Sequence, residues 1–450
     1  MSAAQTGVPI SPRRLTTGDL IIYGIVLIQP IAPVGIFGIA NRVSNGHVTT
    51  SILFAMVAMA ITALSYGRLA ALYPSAGSAY TYVGRSFHPL AGYMVGWAMF
   101  LDYLIIPVIS TIYAALTLQR LMPSVPFVCW AVLFAATITA LNLAGVRSLA
   151  RANKIMLLIM TVVIAAFVLL SLHFLYGRSG WAGVFSIKPV YDRATFHFNA
   201  VMTATSLAAL TYIGFDGVTT LAEEVRNPRR SVPMATVLVC LLTGVFSAVE
   251  VYLAQRVWPD YHTFRNLETA FLDVTRVVGG NSLFQAMGLI LVIASVGSGL
   301  TGQAAAARLL YVMGRDNVMP KHVFGRWDTR RRQPSWNIWL IGTLAVAGAL
   351  LMSYERTAEL LNFGAFLAFM GVNLAAIQTL WFGGKSDSRN LITGIFLPLA
   401  GFLFCLAIWW SLPVPAKVAG GIWLGIGLAQ IAIKSRGFRS PIADIRFGEA

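Results

Sequence analysis

Charged residues are scarce in this chain of 450 residues, where Asp, Glu, Lys and Arg make up only 11% and hydrophobic residues 57%. Soluble globular domains carry about 25% charged residues, so this composition cannot cover the surface of two or three soluble domains. The scarcity of charge excludes an ordinary soluble protein and indicates a chain whose solvent is the lipid bilayer.

The sequence also lacks the signatures of common enzymes. It contains no HExxH, CxxC or GxSxG pattern, and its six histidines do not have the spacing of metal ligands. The run Gly384, Lys385, Ser386 resembles the end of a phosphate-binding loop, but Thr379 stands where that loop needs its first glycine. We predict that the protein is not an enzyme, holds no metal or cofactor, and is not driven by ATP.

Long apolar runs, by contrast, recur from one end of the chain to the other. About 20 apolar residues in a helix cross the ~30 Å of hydrocarbon in a bilayer. The sequence predicts an all-α membrane protein with twelve transmembrane helices, at residues 19–41, 47–73, 88–118, 126–146, 155–176, 200–222, 232–256, 281–314, 335–353, 357–382, 391–412 and 418–433.

The net charge of +16 could indicate a nucleic-acid partner, so the positions of the basic residues matter. Most of the 33 Lys and Arg residues fall in loops on one side of the predicted membrane, the side that holds both termini. Basic loops mark the cytoplasmic face, so segments 1–18 and 434–450 are predicted to be cytoplasmic. The run from Arg330 to Arg332 is then an anchor at the inner face, and no nucleic-acid partner is expected.

Two of the predicted spans carry helix breakers near their middle. The first span contains Pro30, Pro33 and Gly35, and the sixth contains Gly214 and Gly217 around Asp216. Each of these two spans opens a group of five spans. Because five is odd, the second group begins on the opposite side of the membrane from the first and is an inverted copy of it. We predict repeats at 19–176 and 200–383, two appended helices at 390–433, and a binding site between the broken helices. The alternative is that the prolines only kink a packed helix.

Three acidic residues lie inside predicted spans, where a carboxylate costs at least ~2.5 kcal/mol to insert. Asp102 lies at the centre of the third span, Asp216 past the centre of the sixth, and Glu250 in the outer part of the seventh. At ~1.5 Å rise per residue, Asp102 and Asp216 lie within roughly 10 Å of each other in depth. Two such carboxylates suit a ligand with one or two ammonium groups. The alternatives are a structural cap for Asp216, a buried pair for Asp102 and simple packing for Glu250.

Four stretches resemble the amino acid, polyamine and organocation permeases: PSAGSAYTYVGRS from Pro74, GWAMFLDYLIIP from Gly96, YIGFDGVTTLAEEVRNPRRSVP from Tyr212, and ARLLYVMGRDNVMP from Ala307. FGIANRVSNGHV and residues 360–365 are similar to the bacterial putrescine importer group. The resemblance implies that the substrate is bound by Ile31, Ala32, Pro33, Val34, Gly35, Tyr212, Ile213, Gly214, Phe215 and Asp216. Some relatives have a lysine at the position of Met160 in this chain. Many relatives have an aromatic gate residue at the position of Leu210.

We therefore predict a secondary transporter of the bacterial inner membrane that imports a polyamine such as putrescine by alternating access. Asp216, Asp102 and Glu250 are the candidates for carrying a coupling proton, with sodium as the other possible ion. The alternative is a permease for cationic or neutral amino acids. A channel or a membrane-embedded enzyme is a remote alternative, because the sequence shows neither a continuous polar stripe nor a catalytic constellation.

Overall fold

The computed structural model describes residues 15–28, 32–73, 78–144, 149–315, 319–331, 333–383 and 390–435. These residues contain no β-strand and fold as helices joined by short connections. Two isolated bridges pair Leu15 with Val225 and Asp328 with Gln333. The prediction of an all-helical protein is confirmed for the described part of the chain. Most of the two predicted cytoplasmic tails lies outside it.

The helices vary from a single turn to 46 residues. In chain order they are α1 (Thr17–Ile28), α2 (Ala32–Val43), α3 (Val48–Leu72), α4 (Ser78–Ser86), α5 (Pro89–Leu121), α6 (Phe127–Ala144), α7 (Leu149–Val184), α8 (Phe198–Ala208), α9 (Pro228–Val257), α10 (Ala270–Arg315), α11 (Lys321–Phe324), α12 (Ser335–Leu351), α13 (Tyr354–Ala376), α14 (Leu397–Trp410) and α15 (Val414–Lys434). Segments of 3₁₀-helix follow α8, and π-helical turns follow α13 and precede α14.

Among the described residues, 10 helical segments are long and apolar enough to cross a bilayer. They coincide with all the predicted spans except the first and the ninth. The first is two helices of 12 residues each, α1 and α2, and the ninth is α12 with 17 residues. A helix of 17 residues is at the short limit for a span.

The structure corrects the sequence prediction in two places. The short helix α4 lies between the second and third predicted spans, where no helix was predicted, and buries Ala79, Tyr82 and Val83. The helix α10 begins 11 residues before the predicted eighth span, but Gly280 has φ of +62°, which separates its first part from the apolar remainder. The predicted start of that span coincides with this kink.

The interior is built around α3, α5 and α13. α5 packs against α4, α6, α10, α12 and α13, and α3 packs along α9. α3 and α9 can come close at Gly67 because this residue has no side chain. A Cβ at Gly67 would lie only 2.4 Å from the Cα of Pro233. The helices α7, α14 and α15 instead expose apolar side chains such as Leu169, Trp410 and Ile433, as expected for surfaces that face lipid.

Candidate functional site

The sixth apolar segment loses its α-helical form near its middle. α8 ends at Ala208, one 3₁₀ segment covers Ala209–Tyr212, and a second covers Phe215–Glu224. Between them Ile213 is extended and Gly214 has φ of +114°, a left-handed conformation that only glycine adopts without strain. The interruption predicted beside Gly214 is present. Non-helical backbone at membrane depth needs protein or a cavity around it, so this break marks a candidate site.

The structure describes the first apolar segment on both sides of residues 29–31, which lie outside the described part of the chain. α1 ends at Ile28 and α2 begins at Ala32. Pro33, Val34 and Gly35 are buried at the start of α2. The substrate-binding role of residues 31–35 stays a prediction.

Asp216 lies in the first turn after the break of the sixth segment and is only 7% exposed. Its carboxylate accepts hydrogen bonds from the backbone N–H groups of Gly214, Asp216 and Gly217. The Thr219 hydroxyl donates to the Asp216 carbonyl at 2.6 Å. This is the position that a structural cap of the interrupted backbone would occupy, which was the alternative considered for Asp216. A carboxylate has about four lone-pair sites, so this role leaves it able to bind a ligand as well.

Asp102 lies within α5 and is 6% exposed. It is within electrostatic range of Asp216, so the structure brings together the two carboxylates whose similar depth was inferred from the sequence. Among the described residues, Asp102 Oδ1 has no hydrogen-bond partner. α13 passes closely beside Asp102 at Gly364, which has no side chain. A Cβ at Gly364 would lie 2.5 Å from the Ala98 carbonyl oxygen and 3.4 Å from the Asp102 nitrogen.

Three tyrosine side chains that were not predicted from the sequence lie near the two carboxylates. Tyr66 of α3 and Tyr103 of α5 are each within electrostatic range of both aspartates, and Tyr82 of α4 is within range of Asp216. Tyrosines in apolar spans resemble packing residues, and the sequence contains no signal that separates these three from the others. Their role follows from the crossing of α3, α4 and α5, which spacing along the chain does not reveal.

No basic side chain neutralises the two aspartates in the part of the chain that the structure describes. The ion pair found there joins Arg120 of α5 to Asp273 of α10, at a different position along α5. Two buried carboxylates without a basic partner are costly, because each loses hydration without a compensating charge. This arrangement suits a cationic ligand.

Glu250 of α9 is also deeply buried, at 2% exposure. Neither of its carboxylate oxygens has a hydrogen-bond partner among the described residues, and the Ser247 hydroxyl one turn away is equally unpartnered. Its carboxyl group shows no electrostatic interaction with Asp102 or Asp216. The structure therefore places Glu250 apart from the aspartate pair.

Two tyrosine side chains pack beside the start of α2. A Cβ at Gly35 would lie 2.6 Å from the Tyr354 hydroxyl and 3.1 Å from the Tyr113 ring, whose centroid is 5.2 Å from that of Tyr354. Tyr113 lies about three turns along α5 from Asp102. Leu210 stands where the resemblance to the permeases implied an aromatic gate. In this chain, Tyr113 and Tyr354 supply aromatic rings beside α2.

The fold and this site define a transport protein. Residues 26–412 match the amino acid permease family, and the chain belongs to that family. It is a multi-pass inner-membrane transporter and not an enzyme. The resemblance stated from the sequence is confirmed.

Among individual relatives, the chain is 34% identical to the low-affinity putrescine importer PlaP of Escherichia coli strain K12 over 433 residues, which are 96% of this chain and 95% of that protein. It is 25% identical to the branched-chain amino acid permease BcaP of Lactococcus lactis, over 92% of this chain and 93% of the relative. It is 27% identical to the vacuolar cationic amino acid transporter 4 of Arabidopsis thaliana, over 81% of this chain and 63% of the relative.

Proposed function

We propose that this transporter imports a diamine of the putrescine type. The observation that supports this is the pair Asp102 and Asp216, both buried and without a basic partner among the described residues. A diamine carries two positive charges at neutral pH, so it would balance both carboxylates at once. The 34% identity to a putrescine importer agrees with this substrate class.

The transport mechanism proposed is alternating access around two broken helices. In this arrangement, residues 19–176 and 200–383 are inverted five-helix repeats, residues 390–433 add two helices, and both termini are cytoplasmic. The interruption around Gly214 supports it, since substrate sites of inverted-repeat transporters lie at such breaks. The substrate amine would be bound by the carbonyl groups at these breaks and by Asp216.

Proton coupling is proposed through the buried carboxyl groups. Asp216 and Asp102 contact the substrate directly in this scheme. Glu250 is the third candidate, because a carboxyl group with two unpartnered oxygens is far less costly to bury when it carries a proton. Sodium is the alternative coupling ion. Uptake driven by an imposed pH gradient without sodium would support protons, and uptake that requires a sodium gradient would contradict them.

Amino acid transport is the second candidate function. Two relatives are named as amino acid transporters. A zwitterion would need only the broken ends of the helices and would leave Asp102 without a role in binding. The two candidates therefore differ in what they require of Asp102.

The experiment is a competition assay in proteoliposomes, with labelled putrescine competed by putrescine, spermidine, lysine and alanine. We expect putrescine to compete at the lowest concentration, and Asp216→Asn to abolish uptake while membrane insertion is retained. The matched control is Asp260→Asn, because Asp260 is an exposed loop residue whose side chain caps His262, a role that asparagine can keep. Stronger competition by alanine than by putrescine, or normal uptake by Asp216→Asn, would contradict the proposal.

A further inference from the structure

His47 is a fully buried histidine at the turn between α2 and α3. Its side chain is 0% exposed, and its ring centroid lies 5.2 Å from that of Phe196, with the two rings edge to face. Phe196 belongs to residues 185–197, which connect α7 to α8. The His47 ring therefore joins two connections of the chain that are far apart in sequence.

Both ring nitrogens of His47 have a backbone partner. The Asp192 N–H donates to Nε2 at 3.1 Å, and Nδ1 lies 3.1 Å from the Ser44 carbonyl oxygen. A carbonyl oxygen can only accept a hydrogen bond, so Nδ1 is the nitrogen that carries a hydrogen atom. Nε2 faces an N–H donor, so it carries none. The two contacts together require the neutral imidazole.

A proton on Nε2 would turn the contact with Asp192 from attraction into repulsion. A charged imidazole has two N–H donors and no acceptor, so the Asp192 N–H would lose its partner and face another N–H group. The charged ring would also be buried, which is costly without an anionic partner. The Asp192 carboxylate already accepts a hydrogen bond from the Ala194 N–H at 3.0 Å, within the same connection.

The charged and titratable groups on the segments around the ring do not compensate such a charge. Among the described residues, no ion pair joins His47 to any of them. They are Arg42 of α2, Lys188, Tyr191, Asp192, Arg193 and His197 of the connection, Glu250 and Arg256 of α9, and Asp260, Tyr261 and His262 of the loop after α9.

The turn after α2 is also held to α9, by side chains that do not titrate. The Gln255 side chain donates to the Asn41 side-chain oxygen at 2.9 Å and to the Gly46 carbonyl at 2.6 Å. It accepts from the Thr49 hydroxyl at 2.7 Å. These hydrogen bonds do not depend on pH, so protonation of His47 would release the connection between α7 and α8 and leave the turn itself in place.

We propose that His47 is a pH-sensitive contact, which holds residues 185–197 against the turn after α2 while its ring is neutral and releases them when the ring is protonated. Histidine is the side chain that ordinarily changes charge between about pH 5 and 8. The inference goes beyond the proposed function, because it holds whichever solute the protein carries.

Hydrogen–deuterium exchange of the wild type in lipid nanodiscs tests this inference, since both faces of the membrane then meet the same buffer. After correction for the intrinsic effect of pH on exchange, the protection of residues 189–197 should fall about five- to tenfold between pH 7.5 and 5.0, as expected for the loss of a hydrogen bond. Residues 321–331 are the internal reference. Their N–H groups at Arg330 and Arg331 donate to the Asp328 carboxylate at 3.0 Å, so their protection should change by less than about twofold.

The discriminating variant is His47→Gln. The glutamine side-chain oxygen can accept the Asp192 N–H and gains no proton in this range, so the protection of residues 189–197 should change by less than about twofold between the two pH values. The matched control is His197→Gln, which removes an exposed histidine of the same connection whose side chain does not cap α8. This control should lose protection on acidification as the wild type does.

Two results would overturn the inference. One is unchanged protection of residues 189–197 in the wild type at pH 5.0, which decides the question without any variant. The other is an equal loss of protection in His47→Gln, because the proton would then act elsewhere. If the glutamine variant does not fold, His47→Asn takes its place, since its amide can donate to the Ser44 carbonyl and carries no charge. The measurement uses no substrate, so a failure of the proposed function leaves its outcome unaffected.

Discussion

Asp102→Asn is the substitution that most directly separates a diamine importer from an amino acid permease. Asparagine has almost the same shape as aspartate, so packing against α13 at Gly364 is kept and only the charge is lost. Removing one partner of a buried ion pair costs about 3 to 5 kcal/mol, because the other charge stays buried and unpaired. At 1.4 kcal/mol per tenfold change, putrescine should bind roughly two to four orders of magnitude more weakly.

Alanine provides the internal comparison in the same variant. A zwitterion bound at the ends of the broken helices has one ammonium group, which Asp216 and the backbone carbonyl groups satisfy. Its affinity should therefore change by less than about tenfold, as expected when no buried charge loses its partner. Both affinities can be measured by competition against labelled putrescine or labelled alanine in nanodiscs.

The result that would refute this reasoning is an equal loss for the two ligands. An equal loss would mean that Asp102 supports the site through its position in α5 and not through contact with an ammonium group. The exposed control Asp260→Asn should leave both affinities unchanged, which shows that the effect is not a general result of removing one negative charge. Unfolding temperatures of all three proteins without ligand test whether the variants fold.

Three further predictions concern topology, packing and pH. After removal of the native exposed cysteine, a single cysteine at Gly18 should be labelled only from the cytoplasm, and one at Asn199 only from outside. Labelling of both positions from the same face would contradict the inverted repeats. Gly364→Ala puts a Cβ 2.5 Å from the Ala98 carbonyl oxygen, so it should lower stability by about 1 to 3 kcal/mol in thermal unfolding. Burial raises the pKa of Glu268, so ionisation of its carboxyl group destabilises the native state. Glu268→Gln should therefore be more stable than the wild type at neutral pH. This gain should vanish below about pH 4, where the wild-type carboxyl group is protonated in both the folded and the unfolded state. An unchanged difference across that range would contradict this explanation.

The membrane-spanning helices were predictable because the bilayer imposes one simple requirement on each of them. A run of about 20 apolar residues that crosses a bilayer must pair its backbone N–H and C=O groups within the segment, and an α-helix does this. Most predicted segments therefore coincide with observed helices. The missed helix α4 does not obey that requirement. It has 9 residues and a mixed sequence, and it is stabilised by packing against α5 and α13, which are distant in sequence from one another.

The candidate site was predictable only in part. A carboxylate inside an apolar span is conspicuous, so Asp102 and Asp216 stood out from the sequence, and their similar depth followed from counting residues. The tyrosines around them did not stand out, because a tyrosine is common in a packed helix. Tyr66 became recognisable only when the structure showed that its hydroxyl is buried without a partner beside two carboxylates.

The two aspartates differ in what they do for the backbone, and this difference decides how their variants should be interpreted. The Asp216 carboxylate accepts hydrogen bonds from N–H groups at the break, so Asp216→Asn changes both the cap of the interrupted helix and the charge of the site. Asp102 lies inside a continuous α-helix, where the backbone N–H groups are already paired. A loss of transport in Asp216→Asn is therefore compatible with either role, whereas a substrate-dependent loss in Asp102→Asn arises from the effect of its charge on the ligand and not from a change in the backbone.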